Sequence, residues 1–277
     1  MMDLDFLWNS DSALAVGLSV LGLALFLGFE SAMDRAALMR DLGIPIGLGW
    51  SLIGTQQLVY SASEGTLVAD DIYGWTGTAF LTLLYGGVFS ALGFFLSGSG
   101  RPQAKTIQNQ KWLWRRKLIC LLGGMSITAP AMIYGGAELF FQPIPAAIFL
   151  VTAVIAILTG RKGHYLSNLS QGCLIGSMTS VMVGILILFK GEVESGLMVS
   201  GVGLIYGISG YLWIYIFTYS TDYRPHISAT RTNWHWLELA GFLIFMFLAP
   251  DTLLDNYQEA AIQEQIKQLE LRLDAMN

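Results

Sequence analysis

The chain has 277 residues, 54% of them hydrophobic and only 13% charged, against roughly a quarter charged in an ordinary soluble domain. That balance excludes a water-soluble globular enzyme. It predicts an all-α, polytopic transmembrane helix bundle, because the apolar residues fall in runs of about twenty, enough to cross a hydrocarbon core of roughly 30 Å.

Apolar runs set against turn and charge breaks predict eight spans, over residues 13–30, 43–61, 75–98, 116–138, 145–160, 165–189, 196–219 and 235–250. The count falls to seven if the short last run does not cross. The opening "MMDLDFLWNSDS" is acidic and lacks the basic region of a cleavable signal, so the first run is expected to stay as a span. Spans one and two are joined by "ESAMDRAALMRDLG", two and three by "SEGTLVADDIYG", and three and four by "SGSGRPQAKTIQNQKWLWRRK", the longest polar stretch between spans. Residues 1–250 thus form the bundle, and 251–277 an extramembrane helix. Cys120 and Cys173 both fall in spans, where a cysteine reads as a small packing residue.

The formal net charge of −5 gains meaning once it is divided by side. Arg35 and Arg40, the six basic residues from Arg101 to Lys117, Arg161 and Lys162, and Arg224 and Arg231 all fall in odd-numbered loops. Twelve of the 15 Lys and Arg therefore share one side, which the positive-inside rule makes cytoplasmic. Both termini are then outside, with the C-terminus inside if the last run does not cross, and a bacterial inner membrane is the expected location. Trp8, Trp75, Trp112, Trp114, Trp234 and Trp236 lie at predicted span ends, at headgroup level.

An internal echo matches "LTLLYGGVFSALGFF" in span three to "GVGLIYGISGYLWIY" in span seven, pairing Leu84-Tyr85-Gly86 with Ile205-Tyr206-Gly207. It predicts parallel three-helix repeats at 13–98 and 145–219 with span 116–138 as the crossover. The arrangement resembles that of the three-helix-repeat carriers, the sugar-exporting SWEET proteins and the PnuC vitamin-precursor carriers. The stretch from "LTGRKGHY" through "LFKGEVESGLMVSG" to "LIYGISGYLWIY", less than a third of the chain, is similar in layout to the second PnuC half. That family's tryptophan- and asparagine-rich binding motif is missing, and "HYLSNLSQGCLIG" stands in its place.

The stretch "GGMSITAPAMIYGGAELFF", which runs from within span four to just past its end, combines Pro130 with paired glycines. Proline removes a backbone hydrogen bond and clashes with the preceding turn, so a kink is expected there, with Ser126 and Thr128 near enough to satisfy the freed groups. Glu138 sits near the outer end, as a snorkelling edge acid or an acid at the mouth of a path. Other mid-depth polarity is uncharged: Gln56 and Gln57, Tyr85, Ser177, Thr179, Ser180 and Tyr206. Adjacent helical residues point about 100° apart, so at least one of Gln56 and Gln57 must face the bundle. The glycines of spans six and seven, among them Gly172, Gly176, Gly184, Gly203, Gly207 and Gly210, predict close helix packing.

Several chemistries lack their residues. No lysine lies deep in a span for a retinal Schiff base, and His164, His226 and His235 all lie at a boundary, too shallow for a haem pair or a serine protease. No H-E-x-x-H or phosphate-binding glycine loop occurs. A non-enzyme is expected, with no catalytic residue, metal, cofactor or nucleic-acid partner. The tail carries Ile262, Ile266, Leu269, Leu273 and Met276 at 4, 3, 4, 3 spacing, a seam suited to a partner subunit, a second copy or the membrane surface.

These residues predict a transporter or channel for a small neutral or weakly polar solute. Its path would be lined by Gln56, Gln57, Tyr85, Thr128, Pro130, Glu138, Ser177 and Tyr206. The other reading is a non-catalytic subunit or assembly factor of a larger membrane complex, joined through the C-terminal helix.

Overall fold

The computed structural model describes residues 9–27, 32–63, 69–97, 118, 141–159, 165–218, 262–263 and 265–269. Among them there is no strand. Six helices follow in order: α1 (Ser10–Leu27), α2 (Ala32–Ser63), α3 (Ala69–Ser97), α4 (Pro143–Thr159), α5 (Tyr165–Leu188) and α6 (Val193–Thr218). Four stretches, Arg35–Ala62, Gly74–Ser97, Asn168–Leu188 and Val193–Ile216, are long and apolar enough to cross a membrane. Ser10–Leu25 and Pro143–Thr159 are shorter apolar helices. The spans expected at 116–138 and 235–250 lie outside the described residues, apart from Leu118, which is helical.

Local chemistry sets the helix ends. Asn9 caps α1, its Oδ1 accepting the Ser12 N–H at 2.9 Å, which satisfies one of the donors a helix start leaves open. Between α5 and α6 the chain reverses through Phe189–Glu192. There Gly191 takes φ 85°, a left-handed geometry that costs glycine little.

The helices form two groups of three. In the first, α2 packs chiefly on α3 and also on α1; in the second, α5 packs chiefly on α6 and also on α4. The groups meet where α2 runs against α6, and these two are the most buried of the four long helices. The outer helices turn apolar side chains outward: Leu14, Leu18, Leu21 and Leu25 on α1, and Leu150, Val151, Val154, Ile155 and Leu158 on α4, are exposed. Such faces suit lipid, where an exposed leucine carries no hydrophobic penalty.

Each group is closed by a seam of small residues. A Cβ built on Gly86 would stand 2.5 Å from the Gly43 carbonyl and 2.9 Å from Gly47 Cα, and one on Gly47 would stand 2.8 Å from the Thr82 carbonyl. The α5–α6 seam repeats the device: a Cβ on Gly184 would stand 2.5 Å from the Gly196 carbonyl, and one on Gly210 2.9 Å from Cys173 Sγ. Only glycine lets backbones approach this closely, and packing of that kind drives helix association in lipid.

The structure extends the second helix well beyond its expected start. Residues 32–42, read as loop because of Asp34, Arg35, Arg40 and Asp41, are helical and continuous with the apolar run. Ala36, Ala37, Leu38 and Leu42 are buried there, so packing on the bundle outweighs the charges. At about 48 Å for 32 residues, α2 exceeds the thickness of a bilayer core, which leaves its charged first turns room at the headgroups. Pro45 is consequently inside the helix.

Candidate functional site

The α2–α6 boundary brings together the most telling polar groups. Tyr215 Oη of α6 donates to Asp41 Oδ2 of α2 at 2.9 Å, and Gly49 of α2 faces Ile208 of α6, a Cβ there standing 3.9 Å from Ile208 Cγ2. Moving up α2 from 41 to 49 moves down α6 from 215 to 208, so the two helices are antiparallel. The start of α2 and the end of α6 therefore share one end of the bundle. The same register continued for two turns puts Gln56 level with Gly201, toward the middle of α6.

At the shared end, Asp41 is held through both carboxylate oxygens. Arg40 Nε pairs with Asp41 Oδ1 at 3.0 Å, with both side chains mostly covered, which leaves Oδ2 turned to Tyr215. One turn on, Pro45 lacks the N–H that would reach the Asp41 carbonyl. Beside this interrupted turn stands Ser90 of α3. Its Oγ donates to the Arg40 carbonyl at 2.7 Å and accepts the Ile44 N–H at 3.2 Å, reinforcing the turn with a side chain from a neighbouring helix.

Of the neighbouring glutamines, Gln56 turns inward at 2% exposure while Gln57 is half-buried. Both Gln56 Nε2 and Oε1 are buried without a hydrogen-bond partner, as are Ser177 Oγ and Ser180 Oγ. The two serines lie at the middle of α5 and press on α6. A Cβ on Gly207 would stand 2.7 Å from Ser177 Oγ, and one on Gly203 2.7 Å from Ser180 Oγ. Leaving a buried amide or hydroxyl unpaired costs about 1–3 kcal/mol each. These are thus uncompensated, uncharged polar groups, Gln56 on α2 and the two serines in the α5–α6 seam.

The remaining expected site residues separate. Tyr85 is half-buried on α3, and its Oη accepts the Asn9 backbone N–H at 3.0 Å. Tyr206 is half-buried on α6 and meets Phe149 of α4 edge-on, ring centroids 5.7 Å apart at 63°. Each tyrosine thus contacts the first helix of its own group rather than a common cavity. Thr128, Pro130 and Glu138 lie outside the described residues, as does Leu273 of the tail. Ile262, Ile266 and Leu269 are 57%, 50% and 58% exposed.

Sequence reasoning passed over Asp41, Pro45, Ser90 and Tyr215. With the second span started at 43, Pro45 reads as a first-turn proline, where it is harmless, and Asp41 as a loop acid. Among the described residues no group of three His, Cys, Asp or Glu side chains is placed to hold a metal. Comparison with protein-family models, with curated proteins and with solved structures finds no match.

Proposed function

We propose that the chain is an integral membrane transporter or channel for a small neutral or weakly polar solute, whose path follows the α2–α6 boundary between the two helix groups. The observation that carries this reading is Gln56: a fully buried carboxamide at mid-depth with its donor and acceptor both unengaged. A solute bearing hydroxyls or amides would supply the missing partners. The unpartnered groups Gln56, Ser177 and Ser180 carry no charge, which fits an uncharged cargo, since ions within a membrane are normally met by ionisable residues.

The wider architecture goes with this reading. The bundle has eight spans with both termini outside, in a bacterial inner membrane, and residues 13–98 and 145–219 are parallel repeats. Support for the repeats comes from the matched residues of the echo. Gly86 and Gly207 both lie on the seam of their own group, and Tyr85 and Tyr206 both reach its first helix.

The test is swelling of proteoliposomes in isosmotic glycerol, urea, erythritol and ribose. At least one solute should enter faster than into protein-free vesicles, and Gln56→Leu should return that rate to the lipid background. Equal rates with and without protein across the panel would defeat the reading. A second reading, a non-catalytic subunit or assembly factor, is favoured by one feature: the exposed apolar residues Ile262, Ile266 and Leu269 on a single stretch of the tail.

A further inference from the structure

We propose that the Asp41–Tyr215 hydrogen bond is a latch that closes the α2–α6 boundary at the end of the bundle where α2 begins. The inference rests on the solute-path reading for its purpose, but on the contacts alone for its existence.

Three observations lead to it. The boundary differs in kind from the seams on either side. Within the groups the helices meet backbone to backbone through Gly43, Gly47 and Gly86, and through Gly184 and Gly196. Between the groups a Cβ on Gly49 would only touch a side-chain methyl, Ile208 Cγ2, at 3.9 Å, with no backbone within 4 Å, so α2 and α6 stand further apart there. Packing falls steeply with such a gap, and the groups can part here at less cost than either seam can open.

Second, the latch spans this weaker joint at one end. A hydrogen bond to a carboxylate is stronger than one between neutral groups, and this one is mostly screened from water. Arg40 fixes the Asp41 rotamer by taking the other oxygen, so Oδ2 is offered to Tyr215 without a search. Arg40 is here a positioning residue.

Third, the part of α2 that carries the latch is braced on its own group. Ser90 ties the Arg40–Ile44 turn to α3, and Gly93 of α3 fits so closely that a Cβ there would stand 2.5 Å from the Ala36 carbonyl and 2.8 Å from Arg40 Cα. The first turns of α2 are therefore unable to swing alone. Release of Tyr215 would let the groups move apart as whole bodies, uncovering Ile208 and then the level of Gln56.

Thiol labelling in detergent tests this without any solute. In a Cys120→Ser background, Ile208→Cys places one thiol inside the boundary, and the buried Cys173, in the α5–α6 seam, serves as an internal control. A hydrophilic maleimide should label the introduced thiol slowly. Adding Tyr215→Phe, which removes one hydroxyl, should raise that rate at least tenfold while Cys173 stays slow. Asp41→Leu should do the same, whereas Asp41→Asn, which keeps an oxygen to accept from Tyr215, should stay slow. An unchanged rate in Tyr215→Phe would overturn the latch, and so would a parallel rise at Cys173, which would mean general loosening. If labelling responds as expected but no solute swells vesicles, the latch stands and the transport reading falls.

Discussion

Asp41 and Tyr215 are 174 positions apart in the chain and 2.9 Å apart in space, and their contact fixes how the two halves of the protein face each other. Asp41 also answers Arg40 at 3.0 Å, so the carboxylate is shared between its own helix and the opposite group. Replacing Arg40 by Gln removes a partly covered ion pair, worth on the order of 1 kcal/mol after solvent screening. Replacing Asp41 by Leu removes both the ion pair and the hydrogen bond from Tyr215 and costs more. The thermal midpoint in detergent should fall in the order wild type, Arg40→Gln, Asp41→Leu. Equal midpoints for all three would show that the carboxylate binds nothing of consequence.

The seams predict a sharp split among glycines. Gly86→Ala puts a methyl 2.5 Å from the Gly43 carbonyl, and overpacking of that kind costs about 1–3 kcal/mol or more. Gly74 and Gly87, in the same helix, have nothing within 4 Å of a Cβ, and alanine there gains up to about 1 kcal/mol of helix propensity. Size-exclusion profiles of detergent extracts should show Gly86→Ala aggregated or depleted, with Gly74→Ala and Gly87→Ala at or above wild-type yield.

Gln56 predicts a change of sign. Leucine in its place removes two unpaired polar atoms, each a burden of about 1–3 kcal/mol, and adds apolar contact. Gln56→Leu should therefore melt several degrees higher than the wild type while solute entry is lost. A lower midpoint would mean that the amide is already well partnered and structural, which removes the main support for a polar path.

Deleting residues 256–277 separates the two functional readings. The tail turns Ile262, Ile266 and Leu269 outward, and little more than two heptads does not dimerise stably alone. If the chain is a subunit, native mass spectrometry should show a foreign partner that disappears with the tail while the bundle still inserts. A solitary or homo-oligomeric species, unchanged by the deletion, would leave that reading without support.

Much of the helical architecture is legible in the sequence, and the reasons it stops being so are specific. The starts of α4 and α5 fall within two residues of their expected positions, because Gln142-Pro143 and the Arg161-Lys162 loop bracket apolar runs without ambiguity. The start of α2 is misplaced because charge alone cannot distinguish a loop from a helix that continues past the hydrocarbon core. That one boundary hides Pro45 and Asp41. The inward turn of one glutamine follows from helical geometry, but which of the two, and whether it finds a partner, depends on helices remote in sequence. The glycines of α5 and α6 announce close packing; those of α2 and α3 do so equally in the structure, through a helix pairing that the local sequence does not show. Tyr85 and Tyr206 look like lining residues because tyrosine is polar at one end, and only their neighbours Asn9 and Phe149 reveal where they go.

The glycine seams also set how this chain can change over generations. Lipid-facing positions such as Leu18, Phe95 and Leu158 accept almost any apolar side chain, so they drift without penalty and soon carry no trace of ancestry. The register Gly43, Gly47, Gly86 on one side and Gly184, Gly196, Gly203, Gly207 on the other has no substitute residue. Distant relatives should thus share a ladder of glycines at four- and seven-residue spacing and little else.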